Sequence, residues 1–492
     1  MRSLPIDVYS VATVREIDRA AIDGVGIPGY TLMTRAAAAS VRLAVASWPD
    51  ARRWSVFCGA GNNAGDGYVV ARLAASEGIV VSVIAITDPA SLSGDAATAY
   101  GDFAAAGGAV LPWTGEIDDA AELFVDAMLG SGLMRDVGGD FAAAVAAINA
   151  ADIPVLALDI PTGLHGDTGA VLGSAVRADL TMTFVGLKQG LLLGDGAEYC
   201  GALHFSDLDI DATCYVDRPA ELHRIARDRV ESLLPRRKRS SHKGDFGHAL
   251  VIGGGPGMPG AIVLCGEAAL RTGAGRVSVA TDKSHAAVVV KDRPELMAHG
   301  IASGSDLEPL LAKADVIATG PGLGRSEWAD ELATLLQADE RPAVWDADAL
   351  NWLAEHPTKA ANRIITPHPG EAATLLGVTT AEIQADRCAA LQQLQRRYGG
   401  VVVLKGAGSL VSSASGIPWL CTAGNPGMAA PGMGDVLTGI IAALLAQGLS
   451  LEDAAMAGVE IHAHAGDLAA ASGERGLVAS DLLAELRGIV NV

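Results

Sequence analysis

The sequence predicts an α/β protein made of two tandem α/β domains, each a parallel sheet covered by helices. Apolar strand-like runs alternate with Ala-rich helical stretches through most of the chain, the pattern of successive βαβ units. The alternation breaks between Asp211 and Gly247, where the chain is rich in charge and poor in strand formers. With 492 residues, half of them hydrophobic, the chain is globular and too long for a single core.

Taken in order, residues 13–47 read as helical on both sides of the Gly26–Gly29 break. Strands are predicted at 54–59, 80–86, 123–129, 155–161, 180–186 and 202–208. The boundary segment follows, and its basic cluster Arg236–Arg239 reads as a solvated linker rather than a phosphate-facing patch. These features set domain limits of 1–218 and 228–492. In the second half, strands are predicted at 249–254, 276–281, 315–320, 343–348, 363–368 and 401–406. The half then closes on GNPGMAAPGMGDVLTGIIAALLAQG, residues 424–448. There a glycine-rich turn, Gly432 to Gly434, opens a buried helix over Val436–Leu445, whose free N–H groups and positive dipole end attract an anion such as phosphate. Asp435 beside that turn is either a first-turn acid favoured by the dipole or a base for a hydroxyl that receives a phosphoryl group.

Composition narrows the function. A formal charge of -21 disfavours nucleic acid and anionic membrane surfaces as partners, so an anionic ligand has to be held by local loops and helix ends. The six cysteines are scattered without a CxxC pair, which argues against zinc and disulfides and for a reducing cytoplasm. No signal-peptide core and no membrane-length apolar run is present in the sequence.

In open α/β sheets, ligands bind beyond the carboxyl ends of the strands, and the unusual polar residues fall there. In the first half, Asn62, Asn63, Asp66, Asp126 and Asp159 would line one crevice. Taken singly, each is equally a turn or cap residue. Together, such oxygen-rich loops suit a hard cation or ribose hydroxyls. GAGNNAGDG lacks the spacing of a dinucleotide fingerprint. In the second half the strand ends carry GPGLG (320–324), DADALN (346–351), PHPGE (367–371) and KGAGS (405–409). Lys405 with Gly406 and Gly408 would meet a nucleotide phosphate without a Walker motif. His368, between two prolines, is a ligand contact or a packed turn residue.

These motifs carry a resemblance. HKGDFGHALVIGG (242–254), GPGLG, DADALN, TPHPGE (366–371), KGAGSLV (405–411) and the 424–448 stretch resemble the ADP/ATP-dependent NAD(P)H-hydrate dehydratases of the ribokinase-like superfamily. GAGNNAGDGYVVAR (59–72), DAMLGSGL (126–133) and DIPTGLHGDTGA (159–170) resemble the NAD(P)H-hydrate epimerases, in the order of the bifunctional nicotinamide nucleotide repair enzymes. The resemblance implies a Rossmann-like three-layer sandwich followed by a ribokinase-like domain. It further implies substrates NADHX and NADPHX, the R and S hydrates at C6 of the nicotinamide ring, with ADP or ATP as phosphoryl donor, Mg²⁺, K⁺ and assembly as a homo-oligomer.

By motif, Asp435 and Asp159 would be catalytic. Asn62, Asn63, Ala64, Gly65, Asp66, Gly130, Ser131, Gly132, Leu133, Met134, Arg135, Asp136 and Asp159 would bind the hydrate in the epimerase half. Ala261, Gly322, His368 and Asp435 would do so in the dehydratase half, while Lys405, Gly406, Ala407, Gly408, Ser409 and Gly434 would contact the nucleotide. Asn63, Asp126 and Thr162 match the potassium site. Three positions depart from the family pattern: Ala64 and Pro431 stand where glycine is usual, and Thr162 where serine is commoner. The competing readings are a ribokinase-like kinase that releases its phosphate ester, and an N-terminal half that only binds.

Overall fold

The structure, a computed structural model, describes residues 4–414 and 416–491. The chain divides into two compact units, Met1–Leu222 and His223–Val492. In the first, strand Arg53–Cys58 lies between Val80–Ala85 and Leu123–Ala127. Ala109–Pro112 extends one side, while Val155–Leu158, Leu180–Phe184 and Ala202–Ser206 extend the other, every pairing parallel. The winding therefore reverses between Arg53–Cys58 and Leu123–Ala127, and their carboxyl ends flank a topological switch point. These central strands are buried on both faces, which is why they read as continuous apolar runs. Ala109–Pro112 escapes that signal because it is a largely exposed edge strand ending in proline.

The N-terminal helix Val11–Arg19 begins two residues before the predicted segment. Ser10 caps it by accepting the Thr13 N–H, and Asp167 accepts the Val11 N–H at 2.7 Å. Glu221 takes the Ser10 N–H and the Thr13 hydroxyl, each at 2.8 Å. The helix runs into a single π-helical turn, Ala20–Gly24, before Gly29–Ser47 resumes the α-helix beyond the glycine break.

In the second unit a parallel sheet runs in the order Met297–Ile301, Arg276–Asp282, His248–Ile252, Val316–Thr319, Ala343–Trp345, Arg363–Ile365 and Val401–Leu404. Ser409–Val411 and Trp419–Cys421 continue it antiparallel. Met297–Ile301 is a mostly exposed edge, and the antiparallel pair is only three residues per strand, so neither shows in the apolar pattern. Among the described residues no helix is long and apolar enough to cross a membrane.

The helix predicted at Val436–Leu445 spans Met433–Ala446, and every residue from Val436 to Leu445 is buried. Such all-round burial requires close neighbours. A Cβ on Gly439 would collide with the Cys265 carbonyl oxygen and lie 2.8 Å from the Ala268 Cβ, both on helix Pro259–Thr272. Gly488, in helix Ala479–Ile489, has open space at the same point. Gly439→Ala is therefore expected to destabilise the second unit by about 1–3 kcal/mol through overpacking. Gly488→Ala should stabilise it by about 0.5–1 kcal/mol through reduced chain entropy. Chemical denaturation of the two variants checks the opposite signs.

Candidate active sites

At the switch point of the first unit lies a cavity of about 1110 Å³. Helix Asn62–Ser76 brings Asn62, Asn63 and Asp66 to its wall, and Gly130, Ser131, Gly132, Leu133, Met134, Arg135, Asp136 and Asp159 complete the predicted set. Ala64 and Gly65 turn inward instead. Ala64 is fully buried within the helix and has no positive φ, so its extra methyl brings no backbone strain. A Cβ on Gly65 would lie 2.5 Å from the Met33 Cε, so that glycine serves packing.

Asp126 and Thr162 sit behind the wall residues Met128 and Leu129. Asp126 is fully buried and accepts the Thr162 N–H and hydroxyl, each at 2.7 Å, and the Met128 N–H at 3.2 Å. Burial pushes its carboxyl up to about 6 against those hydrogen bonds. The Thr162 hydroxyl oxygen also accepts the Leu129 N–H at 2.9 Å. Asn63 is 7 % exposed, and neither its Oδ1 nor its Nδ2 finds a hydrogen-bond partner among the described residues. A buried amide without a partner costs about 1–3 kcal/mol.

Three residues that motif reasoning passed over share the cavity. Lys188 is 2 % exposed, and its ammonium lies 2.6 Å from Asp159. The remaining Nζ contacts are the Thr183 hydroxyl at 3.1 Å and the Phe184 and Gly186 carbonyls at 3.1 and 3.3 Å. Asp159 itself holds a left-handed φ of 67°, unusual for a non-glycine residue. Burial raises Asp18 to about 6 and Asp66 well above the usual carboxylate range, with Asp159 raising both and Lys188 opposing. Arg15, on the capped N-terminal helix, reaches the 130–136 loop, where a Cβ on Gly132 would lie 2.6 Å from its Nη2. The sequence signal for Lys188 was a lysine alone in the apolar run VGLKQGLLL; Asp18 and Arg15, on a remote helix, gave none.

In the second unit Asp435 lies in the first turn of Met433–Ala446, whose cap Gly432 adopts φ 88°. The N–H groups of that turn have no partners within the helix. Burial pushes Asp435 up to about 7, Asp346, Asp348 and Glu371 adding to it and Lys405 opposing. Lys405 is 2.7 Å from Asp346 and 3.7 Å from Glu371, and Thr438 donates its hydroxyl to Asp346 at 2.9 Å. Its ammonium is thus tied to carboxylates rather than projecting freely from the loop. A Cβ on Gly434 would stand 3.1 Å from Asp346 Oδ2 and 3.2 Å from Lys405 Nζ, so the turn, the lysine and the aspartate form one cluster.

Around it, Gly406 and Gly408 take φ of 143° and 69°, and Ser409 Oγ bridges the Gly406 N–H and carbonyl. Arg387, unforeseen from sequence, supports this loop by donating to the Leu404, Lys405 and Gly408 carbonyls. Gly322 and Ala261 adjoin, a Cβ on the former falling 3.2 Å from that of the latter. His368 caps helix Pro369–Leu376, its Nδ1 accepting the Gly370 and Glu371 N–H groups, while its side chain stays 56 % exposed. It is therefore both a turn residue and open to a ligand. His462 reaches the Met433 backbone, and burial pushes its imidazole down to about 4.

The family model described as NAD(P)H-hydrate dehydratase matches residues 249–487, and that described as YjeF-related protein N-terminus matches residues 29–190. The bifunctional NAD(P)H-hydrate repair enzyme of Coxiella burnetii is 46% identical over 98% of this chain and 99% of its own. The Escherichia coli enzyme of the same name is 44% identical over 99% and 95%. Among solved structures, a ribokinase-like superfamily protein from Enterococcus faecalis aligns with a TM-score of 0.52 and 28% identity, covering 55% of this chain and 95% of that one. The chain belongs to the bifunctional NAD(P)H-hydrate repair enzyme family.

Proposed function

We propose that residues 1–218 interconvert the R and S hydrates of NADH and NADPH, and that residues 228–492 dehydrate the S hydrate with ADP or ATP as phosphoryl donor. The observation that carries the second reaction is a carboxylate raised to about 7 in the first turn of a helix that no side chain caps. Held near neutrality, Asp435 is a base matched to its task. It takes the proton of the C6 hydroxyl, whose oxygen then attacks the terminal phosphorus of the donor. The turn Gly432 to Gly434 receives charge on the transferring phosphoryl group. Departure of phosphate with loss of a neighbouring proton regenerates the dihydropyridine. Lys405 holds Asp346 against this turn, and His368, Ala261 and Gly322 border the hydrate, with Gly406 to Ser409 on the nucleotide.

Mg²⁺ is typically held by phosphates, water and one or two carboxylates, and Asp348 and Glu371 are the carboxylates at hand. It would supply charge neutralisation on the donor. In the first unit the unpartnered Asn63 amide oxygen, the Asp126 carboxylate and the Thr162 hydroxyl are a hard-oxygen set that fits K⁺. That cation would brace the 130–136 loop.

Three outcomes are expected. Asp435→Asn should lower dehydration of the S hydrate by about 10²–10⁴-fold while calorimetry still records ADP binding; unchanged turnover refutes the base. Because Asp435 is raised and must be ionised to act, kcat/KM for dehydration should fall as pH drops below about 7 and level off above it. A profile flat through neutrality would be inconsistent with this. Exchange of K⁺ for Li⁺, or Asp126→Ala, should slow epimerisation of the R hydrate and leave S-hydrate dehydration intact. Accumulation of a stable phosphate ester, in place of rising dihydropyridine absorbance, would favour a kinase.

A further inference from the structure

We propose that Lys188 fixes Asp159 as the base of the N-terminal cavity and leaves Asp66 to carry the proton, so that the hydrate is epimerised by opening and reclosing its ring. The inference rests on the epimerase reading above and supplies its chemical route. Three carboxylates, Asp18, Asp66 and Asp159, meet one ammonium in this cavity, and they come from three separate elements. Arg15, Arg19 and Arg135 also line the cavity, but the cation that opposes the rise of both Asp18 and Asp66 is Lys188, and one ammonium cannot form a close ion pair with all three carboxylates.

Geometry decides which carboxylate is compensated. Lys188 contacts Asp159 at 2.6 Å, and its other contacts are the Thr183 hydroxyl and two carbonyls. An ammonium has three N–H bonds, so these partners saturate it. Lys188 therefore has no proton to offer a ligand and acts only through Asp159: it is a positioning residue. Asp66 and Asp18 lack that ion pair. Burial and the charge on Asp159 raise both, Asp18 only to about 6, so that it is largely ionised at pH 7. Asp66 rises well above the usual carboxylate range and is the group disposed to keep its proton. The cavity thus presents a carboxylate and a carboxylic acid together, an acid–base pair sorted by one lysine.

The substrate carbon suits such a pair. C6 of the hydrate carries a hydroxyl and is bonded to the ring nitrogen, a hemiaminal. Asp159 takes the hydroxyl proton, the C6–N bond breaks as C6=O forms, and the electron pair on nitrogen takes the proton of Asp66. Rotation presents the other face of the aldehyde. The nitrogen attacks C6 and returns its proton to Asp66, while Asp159 returns its proton to oxygen. No oxidant or further reactant is needed, and the hydroxyl oxygen never leaves.

The full-length enzyme tests this with purified R hydrate of NADH, S-hydrate dehydration in the same preparation serving as the control. Lys188→Met and Asp66→Asn are each expected to lower the epimerisation kcat by about 10²-fold or more with KM within a few-fold, and Lys188→Arg to recover part of it. Wild-type epimerisation in ¹⁸O-water is expected to give product without label. Undiminished kcat in Lys188→Met or Asp66→Asn overturns the proposal, as does one solvent oxygen incorporated per epimerisation, which marks loss and re-addition of water. The isotope result needs no variant and so stands even where Lys188→Met fails to fold. Failure of the wild type to interconvert the hydrates defeats the epimerase reading itself; interconversion with label defeats only the route.

Discussion

Each half depends on one lysine ammonium set among several carboxylates. In the C-terminal unit the Lys405–Asp346 pair, at 2.7 Å, compensates the nearly fully buried Asp346, and the same ammonium only partly offsets the burial of Asp435. In the N-terminal unit the pair of Lys188 and Asp159 stands in the same relation to Asp66 and Asp18. A buried charge is tolerated when paired and neutralised when not, so a shortage of cations becomes a device for setting protonation states. The acidity of the whole chain, with its net -21, does not enter, because each site is governed by the charges within a few ångströms.

The backbone then aims these groups. Both sheets deliver their polar loops at strand carboxyl ends, where strand hydrogen bonding stops and the chain takes otherwise costly conformations. Asp159 at φ 67° and Ala347 at φ 48° sit one and two residues after buried strand ends. Packing sustains the arrangement: Met433–Ala446 can bring its first turn against Asp346 because Gly439 lets it lie directly on Pro259–Thr272.

Much of this was legible in the sequence, for a physical reason. Strands buried on both faces must be continuously apolar, so runs such as WSVFC and VVVL announce themselves, and the loops that end them were named with their polar residues. Edge strands such as Ala109–Pro112 and Met297–Ile301 are half wet and carry no such mark. Residues delivered by distant elements were also out of reach. Asp18 and Arg15 enter the first cavity from a helix far away in sequence, and Arg387 supports the 405–409 loop from a helix of its own. Lys405 was found, but its ion pair with Asp346 was not, because 59 residues separate the two.

The cap at His368 constrains what that residue can recognise. With Nδ1 accepting two main-chain amides, the neutral ring has a single usable tautomer, its hydrogen on Nε2. Nε2, which lies 3.5 Å from the Glu371 carboxylate, can then only donate. A carboxamide oxygen or a phosphate oxygen is a suitable guest, an amide N–H is not, and adding a second ring proton would set a donor against the two amides that begin Pro369–Leu376. Recognition and helix initiation are thus written into one imidazole, so a substitution chosen to alter the first also rewrites the second.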